Sequence, residues 1–356
     1  MNPRFLLVAV ALTAVAALAE DAPVPKLGER ADKLIQEGLP VCSDKVTTTY
    51  SALQHKLPVN LTGEVIKIES LRQSCAGQWV ALTSREGDFF LGIPWFLDGV
   101  TGTLEQKLKT FAWNALQQNM DPVIEKQRNR DGFYNVTLYQ ITERGKLPMQ
   151  GEIDPEGTVV FIGHFYPINS DFLESRLKSF QPFIDQSPTR GAAKPAVTVV
   201  EFSDFECPSC QHAAGYMKPI LQKYSDRVRY IRYDLPLVTM HPWAFAAAVA
   251  GRAIYRQKPE LFWEYKEQVY ANQEKLNTFT FEDFARGFAQ DHYLDMKKYD
   301  ADVSSPELQT TLLSGAGTAF SNDVRATPTY MVNGAMVDPG NDGKALEEYV
   351  AKLLKK

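Results

Sequence analysis

Two cysteines separated by two residues are the part of this sequence best suited to chemistry. Cys207 and Cys210 lie in DFECPSCQHA, residues 204–213, directly after an apolar run. Such a pair can bind a metal, close a small structural disulfide or exchange electrons with other thiols. These three uses need different surroundings, so the neighbouring sequence can discriminate between them.

The neighbouring residues disfavour the first two uses. A structural zinc site usually takes four cysteine or histidine ligands at set spacings, and only His212 lies close to the pair. The other two cysteines, Cys42 and Cys75, each stand alone far upstream. A disulfide across so small a ring removes few conformations from the unfolded chain and would stabilise the fold little.

The predicted secondary structure favours redox chemistry. Cys207 falls between a strand predicted at 197–203 and a helix predicted from Pro208 to about Tyr224. Proline is well tolerated at the first helical position, where its missing N–H is not needed. The free N–H groups and the positive end of the helix dipole favour a thiolate at Cys207. Cys210 lies one turn further in, where it can resolve a mixed disulfide.

Several separated segments in the second half carry a resemblance to a known family. The segments VEFSDFECPSC, DLPLVTMHPWAFAAAVAGRAIY, LFWEYKEQVYANQ and RATPTYMVNG resemble the DsbA-like branch of the thioredoxin superfamily over about residues 195–356. The resemblance implies an α/β thioredoxin fold with an inserted helical domain at about 240–320. It also implies a redox-active disulfide, with Cys207 as the attacking and Cys210 as the resolving cysteine.

The resemblance further assigns roles to three residues. Pro328 matches the cis-proline that faces the cysteine pair, and Thr327 matches the residue that touches the substrate backbone. Glu201 matches a buried acid that assists proton transfer, and a solvent-facing carboxylate at the strand end is the alternative. Protein thiols and disulfides are the implied substrates, a membrane redox partner would recycle the pair, and no cofactor is implied.

Two departures leave the direction of electron flow open. The dipeptide between the cysteines is Pro-Ser, whereas strongly oxidising DsbA has Pro-His. Thr327 replaces the valine typical of DsbA and resembles the threonine of the isomerases DsbC and DsbG. We expect a dithiol oxidase. The alternatives are an isomerase or reductase kept reduced by a membrane donor, and a non-catalytic binding or chaperone module.

The N-terminus predicts export. Residues 1–19 combine an early Arg4, an apolar run and the sequence Ala17-Leu18-Ala19, which is the pattern of a signal peptide cleaved after Ala19. The run is shorter than the roughly 18 to 20 residues of a spanning helix, so a periplasmic or extracellular protein without membrane insertion is expected. The net charge of −5 gives no reason to expect nucleic acid as a partner.

The chain of 356 residues is too long for one ordinary core, which predicts two domains. Residues 181–196, rich in proline and small residues, are predicted to link an α+β domain at 20–180 to the domain at 197–356. Segments 87–111 and 157–180 resemble each other. The resemblance indicates either a tandem repeat at about 42–111 and 132–180 or chance similarity.

The first domain supplies the other two cysteines and a weaker resemblance. An even number of cysteines in an exported protein favours disulfides, and the simplest pairing joins Cys42 to Cys75 as a structural disulfide. The domain also faintly resembles the cystatin-like dimerisation domain of DsbC and DsbG.

Overall fold

The computed structural model describes residues 27–58, 60–72, 75–116 and 118–355. Its chain forms two compact units, one running up to Arg176 and including Phe320–Asp323, the other formed by Leu177–Ala319 and Val324–Lys356. The signal peptide predicted at 1–19 lies outside the described residues. No helix within these ranges has the length and apolar character needed to cross a bilayer.

The first unit contains two five-stranded antiparallel sheets, with strand orders β1-β2-β3-β4-β10 and β5-β9-β8-β7-β6. The elements in this part of the chain are α1 (Glu29–Gly38), β1 (Thr47–Ala52), β2 (Leu61–Glu69), β3 (Gly77–Ser84), β4 (Asp88–Gly92), β5 (Pro94–Phe96), α2 (Leu104–Leu116), β6 (Met120–Arg128), β7 (Tyr134–Thr142), β8 (Gly145–Ile153), β9 (Val159–Ile162), β10 (Tyr166–Pro167) and α3 (Phe172–Ser179).

The two sheets exchange their last strands. Strand β5 follows β4 in the chain but pairs with β9, and β10 follows β9 but pairs with β4. A shared cluster of buried side chains includes Phe90 of the first sheet and Phe161 of the second, whose ring centroids are 5.3 Å apart. The two sheets have matching layouts, and the tandem repeat stays a prediction. Each copy, however, begins with its helix, α1 or α2, whereas the boundaries 42–111 and 132–180 end each copy with one.

The second unit is built on a mixed sheet of order β11-β13-β12-β14-β15, in which β12 and β13 are parallel and the other neighbours antiparallel. Its elements are α4 (Gln181–Ile184), β11 (Thr189–Gly191), β12 (Val197–Ser203), α5 (Pro208–Ala213), α6 (Met217–Tyr224), β13 (Val228–Asp234), α7 (Ala244–Gln257), α8 (Leu261–Ala271), α9 (Phe281–Asp291), α10 (Met296–Val303), α11 (Pro306–Ser321), β14 (Thr329–Val332), β15 (Ala335–Val337) and α12 (Lys344–Leu353). Helices α7 to α11 occupy the insert predicted at about 240–320.

The central strand and the hairpin follow the sequence pattern closely. Strand β12 is VTVVEFS, and all its residues but Thr198 are buried, as a continuous β-branched and apolar run predicts for an inner strand. Between β14 and β15, Asn333 and Gly334 have φ angles of 46° and 87°. Positive φ at both positions is what a tight two-residue hairpin turn requires.

The linker predicted at 181–196 is wrong for most of its length. Residues 181–184 form helix α4, and β11 pairs with β13 at the edge of the sheet. The side chain of Arg252 also binds the segment, donating to the carbonyl of Gln186 and, over 2.9 Å, to Oγ of Ser187. The prolines misled the prediction because Pro182 lies in the first turn of α4, where its missing N–H costs nothing.

The helix predicted from Pro208 to Tyr224 is interrupted. Helix α5 ends at Ala213 and α6 begins at Met217. In between, the N–H of Tyr216 donates to the carbonyl of Ala213 and the N–H of Lys218 to that of Gly215, both three residues back. Glycine is a weak helix former, and the tighter i→i+3 turns replace the α-helix around it.

Candidate functional site: a cysteine pair at the start of a helix

Cys207 lies between the central strand, β12, and helix α5. Its backbone is extended, with φ −73° and ψ 120°, and Pro208 occupies the first turn of the helix. The carbonyl of Cys207 accepts the N–H groups of Cys210 and Gln211, both over 3.1 Å. Both cysteines are free thiols, 6% exposed at Cys207 and 0% at Cys210. Only the first thiol is therefore open to another molecule.

The surroundings push the two thiols in opposite directions. A hydrogen bond from the Cys210 thiol, together with Thr327 and the backbone N–H of Cys210, lowers the pKa of Cys207 to about 6, although burial opposes this. Burial and the neighbouring Cys207 raise the pKa of Cys210 well above its usual range. Near neutral pH the thiolate therefore forms at Cys207, and thiolates are the reactive form of cysteine.

The Thr327-Pro328 loop lies directly across from Cys207. The peptide bond between Thr327 and Pro328 is cis. The thiol of Cys207 donates to the carbonyl oxygen of Thr327 over 3.3 Å. Oγ1 of Thr327 is also buried, and this hydroxyl favours the thiolate form of Cys207 and so lowers its pKa. The structure thus brings these two predicted site residues to the attacking sulfur.

Glu201 is buried within the sheet, so the alternative of a solvent-facing carboxylate is wrong. Its side chain is 1% exposed, and Oε2 accepts a hydrogen bond from the hydroxyl of Tyr230 over 2.6 Å. Nζ of Lys266 lies 4.0 Å from the same oxygen and donates to the Tyr230 hydroxyl over 3.0 Å. Burial lowers the pKa of Lys266, against the opposing charge of Glu201. The carboxylate is thus held in a buried polar cluster.

Asp204, an acid between the strand and the cysteines, was missed by the sequence reasoning. The N–H of Asp204 donates to Sγ of Cys210 over 3.4 Å, and its Oδ2 accepts the N–H of Leu237 over 2.8 Å. Nδ1 of His241 lies 2.8 Å from the same carboxylate oxygen. These contacts attach the segment that precedes helix α7 to the loop that carries the cysteines.

Of the missed residues, Lys266 left a readable signal. It lies on α8 four residues after Phe262 and four before Tyr270, and all three are buried. A lysine at helical spacing between two buried aromatics needs a polar partner inside the protein. Asp204 and His241 show no such periodicity, because they meet only through the folding of a loop.

Cys42 and Cys75 are joined by a disulfide in the first unit. Their Cα atoms are 5.8 Å apart, and the bond closes a loop with a sequence separation of 33. Cys75 is fully buried. The bridge links the connection between α1 and β1 to the connection between β2 and β3.

Comparison with known proteins identifies the unit that carries the cysteine pair. Residues 184–352 match the family model described as Thioredoxin. This part of the chain belongs to the thioredoxin superfamily. The predicted α/β thioredoxin fold is confirmed, as is the resemblance to the DsbA-like branch of the superfamily. The match begins at residue 184, inside the segment that the sequence predicted as a linker.

The relatives differ in how much of their length this chain matches. The Na(+)/H(+) antiporter NhaA 3 of Salinispora tropica is 33% identical over 150 residues, which are 42% of this chain but 22% of the antiporter. The probable disulfide bond formation protein D of Bacillus cereus is 26% identical over 216 residues, 59% of this chain and 98% of that protein. The crystal structure of oxidised BdbD from Bacillus subtilis is 22% identical, with a TM-score of 0.43, and the match covers 49% of this chain and 95% of that one.

Proposed function

We propose that this chain is an exported thiol–disulfide oxidoreductase that exchanges disulfides with other proteins through Cys207 and Cys210. The observation that carries the proposal is the asymmetry of the pair. Cys207 is 6% exposed and its pKa is lowered to about 6 by its hydrogen bonds from Cys210, whereas Cys210 is fully buried and its pKa is raised. Cys207 is therefore suited to attack or to be attacked by a substrate sulfur, and Cys210 is suited to resolve the mixed disulfide.

In the oxidising direction the pair starts as a disulfide. A substrate thiolate attacks Sγ of Cys207, the Cys207–Cys210 bond breaks, and Cys210 leaves as a thiolate that takes up a proton. A second substrate thiolate attacks the substrate sulfur of the mixed disulfide and releases Cys207 as a thiolate. The substrate is oxidised by two electrons and the enzyme pair is reduced. A membrane redox partner would then reoxidise the pair.

Thr327 and Glu201 have supporting roles in this proposal. The carbonyl of Thr327, 3.3 Å from Sγ of Cys207, marks the side on which a substrate chain would approach the sulfur. The Glu201 carboxylate would exchange a proton with the buried Cys210 thiol. Lys266 supports this role because its own charge interacts with both Glu201 and Cys210.

Replacing Glu201 tests its role as the proton acceptor. In the reductive direction Cys210 must lose its proton before it resolves a mixed disulfide formed at Cys207. We expect Glu201→Gln to slow that resolution by about 100-fold while the first attack by Cys207 keeps its rate, because a positioned general base contributes roughly 10² to 10⁴ in rate. Stopped-flow kinetics with a disulfide peptide separates the two steps.

The matched control for that experiment is Glu206→Gln, a nearby acid with no contact to Cys210. Oε2 of Glu206 accepts backbone N–H groups, which a glutamine oxygen can also accept. The control should leave the rate of resolution by Cys210 unchanged. Equal slowing of both steps by Glu201→Gln would show a general structural defect and contradict the proton-acceptor role.

We favour dithiol oxidation as the direction. The Bacillus cereus relative is named for disulfide bond formation and is matched over 98% of its length. A lowered thiolate pKa stabilises the reduced pair, which makes the disulfide form more oxidising. Structural disulfides of secreted proteins have potentials below about −300 mV, so a moderately oxidising pair can still donate its disulfide to them.

An isomerase or reductase is the second candidate, and a specific observation favours it. A pKa of about 6 for Cys207 lies between roughly 7 in thioredoxin and 3.5 in DsbA. A measured equilibrium with glutathione decides between the two. A potential above about −200 mV, with stoichiometric oxidation of a dithiol peptide, supports the oxidase. A lower potential, with activity only on scrambled disulfides in the presence of reductant, supports the alternative.

A non-catalytic binding or chaperone role is tested by Cys207→Ser. The oxidoreductase proposal expects this variant to lose all thiol–disulfide exchange, while Cys210→Ser traps a mixed disulfide with the substrate. Client binding and phenotype unchanged in Cys207→Ser would overturn the proposal. Export is tested separately by N-terminal sequencing of the mature protein, which should begin at Glu20.

A further inference from the structure

No histidine lies between the two cysteines of the pair. A histidine and an aspartate from outside the motif lie near the pair instead. Nδ1 of His241 lies 2.8 Å from Oδ2 of Asp204, and the side chains are 16% and 0% exposed. The same carboxylate accepts the N–H groups of Leu237 and Glu206, over 2.8 and 2.7 Å. Asp204 is therefore fixed from three sides, and its position fixes the imidazole ring.

The aspartate also determines which nitrogen of His241 carries a proton. Because a carboxylate only accepts hydrogen bonds, Nδ1 must be the protonated nitrogen that faces Asp204. Nε2 has no hydrogen-bond partner among the residues that the structure describes. A second proton at Nε2 would turn the ring into a cation without disturbing the contact with Asp204.

Asp204 of this dyad is linked to both cysteines. The backbone N–H of Asp204 donates to Sγ of Cys210 over 3.4 Å. The charge of Asp204 raises the pKa of Cys207, an effect opposite to that of the hydrogen bonds around the sulfur. An uncompensated Asp204 would thus disfavour the thiolate that the reaction needs.

The groups that act on His241 favour its charged form. Burial lowers the pKa of His241, but the hydrogen bond and charge of Asp204, with the charges of Cys207 and Glu206, raise it overall above its ordinary value. Glu206 is adjacent to Cys207, and its Oε2 accepts the N–H groups of Trp243 and Ala244 just after the histidine. The three groups whose charges raise the pKa of the ring, Asp204, Cys207 and Glu206, are all acidic.

We propose that His241, held by Asp204, carries a positive charge that compensates Asp204 and stabilises the Cys207 thiolate of the reduced protein. His241 is then a positioning residue that acts on Cys207 by its charge, and it would do from the loop before helix α7 what a histidine between the cysteines does in strong oxidants. The inference rests on the proposed function, since it concerns the acidity of the same sulfur. It makes that acidity depend on the protonation of a second group.

The variant His241→Gln tests the inference in the full-length reduced protein. Removing the cation should raise the midpoint of Cys207 thiolate formation, followed by absorbance at 240 nm, by about one pH unit. At pH 7 the equilibrium with glutathione should shift about fivefold toward the disulfide form, because the reduced form loses part of its stabilisation. The control is His212→Gln, an exposed histidine two residues after Cys210 whose ring contacts the carbonyl of Asn341.

A second measurement uses the wild-type protein, so its result does not depend on whether a variant folds. The coupling of two titrating groups is reciprocal, so the His241 ring should have a higher pKa when Cys207 is a thiolate than when the pair is a disulfide. NMR titration of the five histidines in the wild-type protein, reduced and oxidised, measures this difference directly.

The outcomes separate this inference from the proposed function. An unchanged Cys207 midpoint in a folded His241→Gln, or a His241 pKa that is the same in both redox states, would overturn the inference. Both measurements are made without substrate. If they succeed while Cys207→Ser retains the protein's activity, the dyad stands and the oxidoreductase proposal fails.

Discussion

At the scale of single residues, the two thiols have different roles because of the groups that can donate hydrogen bonds to Cys207. The Cys210 thiol and the Cys210 backbone N–H both lower the pKa of Cys207, because the first turn of α5 brings them close to its sulfur. Cys210 itself is fully buried and receives the N–H of Asp204. Each cysteine thus shapes the chemistry of the other.

This arrangement makes a prediction for Cys210. We expect Cys210→Ala to raise the pKa of Cys207 well above about 6, because the largest single contribution to lowering it is the Cys210 thiol. Cys210→Ser should raise it less, since a serine hydroxyl can still donate. Absorbance at 240 nm against pH measures both, and equal midpoints in the two variants would contradict the dominant role of this hydrogen bond.

The same shift predicts how the stability of the reduced protein depends on pH. A thiol whose folded pKa is lowered from 9.0 to about 6 stabilises the fold above its unfolded pKa, and this contribution is lost as pH falls through 6. Between pH 9 and 6, reduced wild-type protein should therefore lose free energy of unfolding relative to Cys207→Ser, at most about 1.4 kcal/mol per unit. Chemical denaturation at several pH values measures the difference.

The residues of the site divide into those that the sequence could predict and those that it could not. Cys207, Cys210, Thr327 and Pro328 lie in short motifs, and the structure brings all four together. Asp204 and His241 are separated by a strand and two helices, and they meet because Leu237 and His241 share one carboxylate oxygen. No local pattern encodes such a contact.

At the scale of elements, helix α7 begins without a cap of its own. Its N-cap residue is Trp243, whose side chain makes no capping hydrogen bond. Glu206, next to the attacking cysteine, accepts the N–H groups of Trp243 and Ala244 instead, over 2.7 and 3.1 Å. The helical insert is therefore attached at its first turn to the loop that carries Cys207.

Glu206→Ala should weaken this attachment. Removing the acceptor leaves the N–H of Trp243 unsatisfied and the N–H of Ala244 with only the carbonyl of His241, 3.4 Å away. Losing a capping group costs about 0.5 to 2 kcal/mol of stability. The control is Glu260→Ala, at the N-cap of α8, where the side chain makes no capping hydrogen bond. Urea denaturation should show the loss for Glu206 alone, and equal effects of the two variants would rule out the cap.

Elements governed by local pattern were predicted well, and those governed by context were not. The buried run of β12 and the Asn333-Gly334 turn follow directly from β-branched residues and positive φ. Strand β11 has three residues and no hydrophobic pattern, and it exists because β13 offers an open edge. Residues 189–191 thus form a strand because they pair with another part of the sheet, and the local sequence does not encode this pairing.

At the scale of the whole molecule, the first unit cannot be divided between its two sheets. Because β5 completes the second sheet and β10 the first, each sheet lacks its last strand without the other. The shared cluster around Phe90 and Phe161 joins them further. The unit should therefore unfold as one cooperative body rather than as two repeats.

The Cys42–Cys75 disulfide provides a test of how stability and redox chemistry are distributed over the chain. A bridge closing a loop of this separation, 33 residues, should stabilise by about 3 to 4 kcal/mol through the lost entropy of the unfolded chain. We expect the double variant Cys42→Ala/Cys75→Ala to lower the unfolding free energy of the first unit by that amount. The equilibrium of the Cys207–Cys210 pair with glutathione should stay at the wild-type value, because every contact that sets the pKa of Cys207 lies in the second unit. Calorimetry and the glutathione equilibrium, measured on the same preparation, check both parts, and a shifted equilibrium would show that the first unit influences the redox pair.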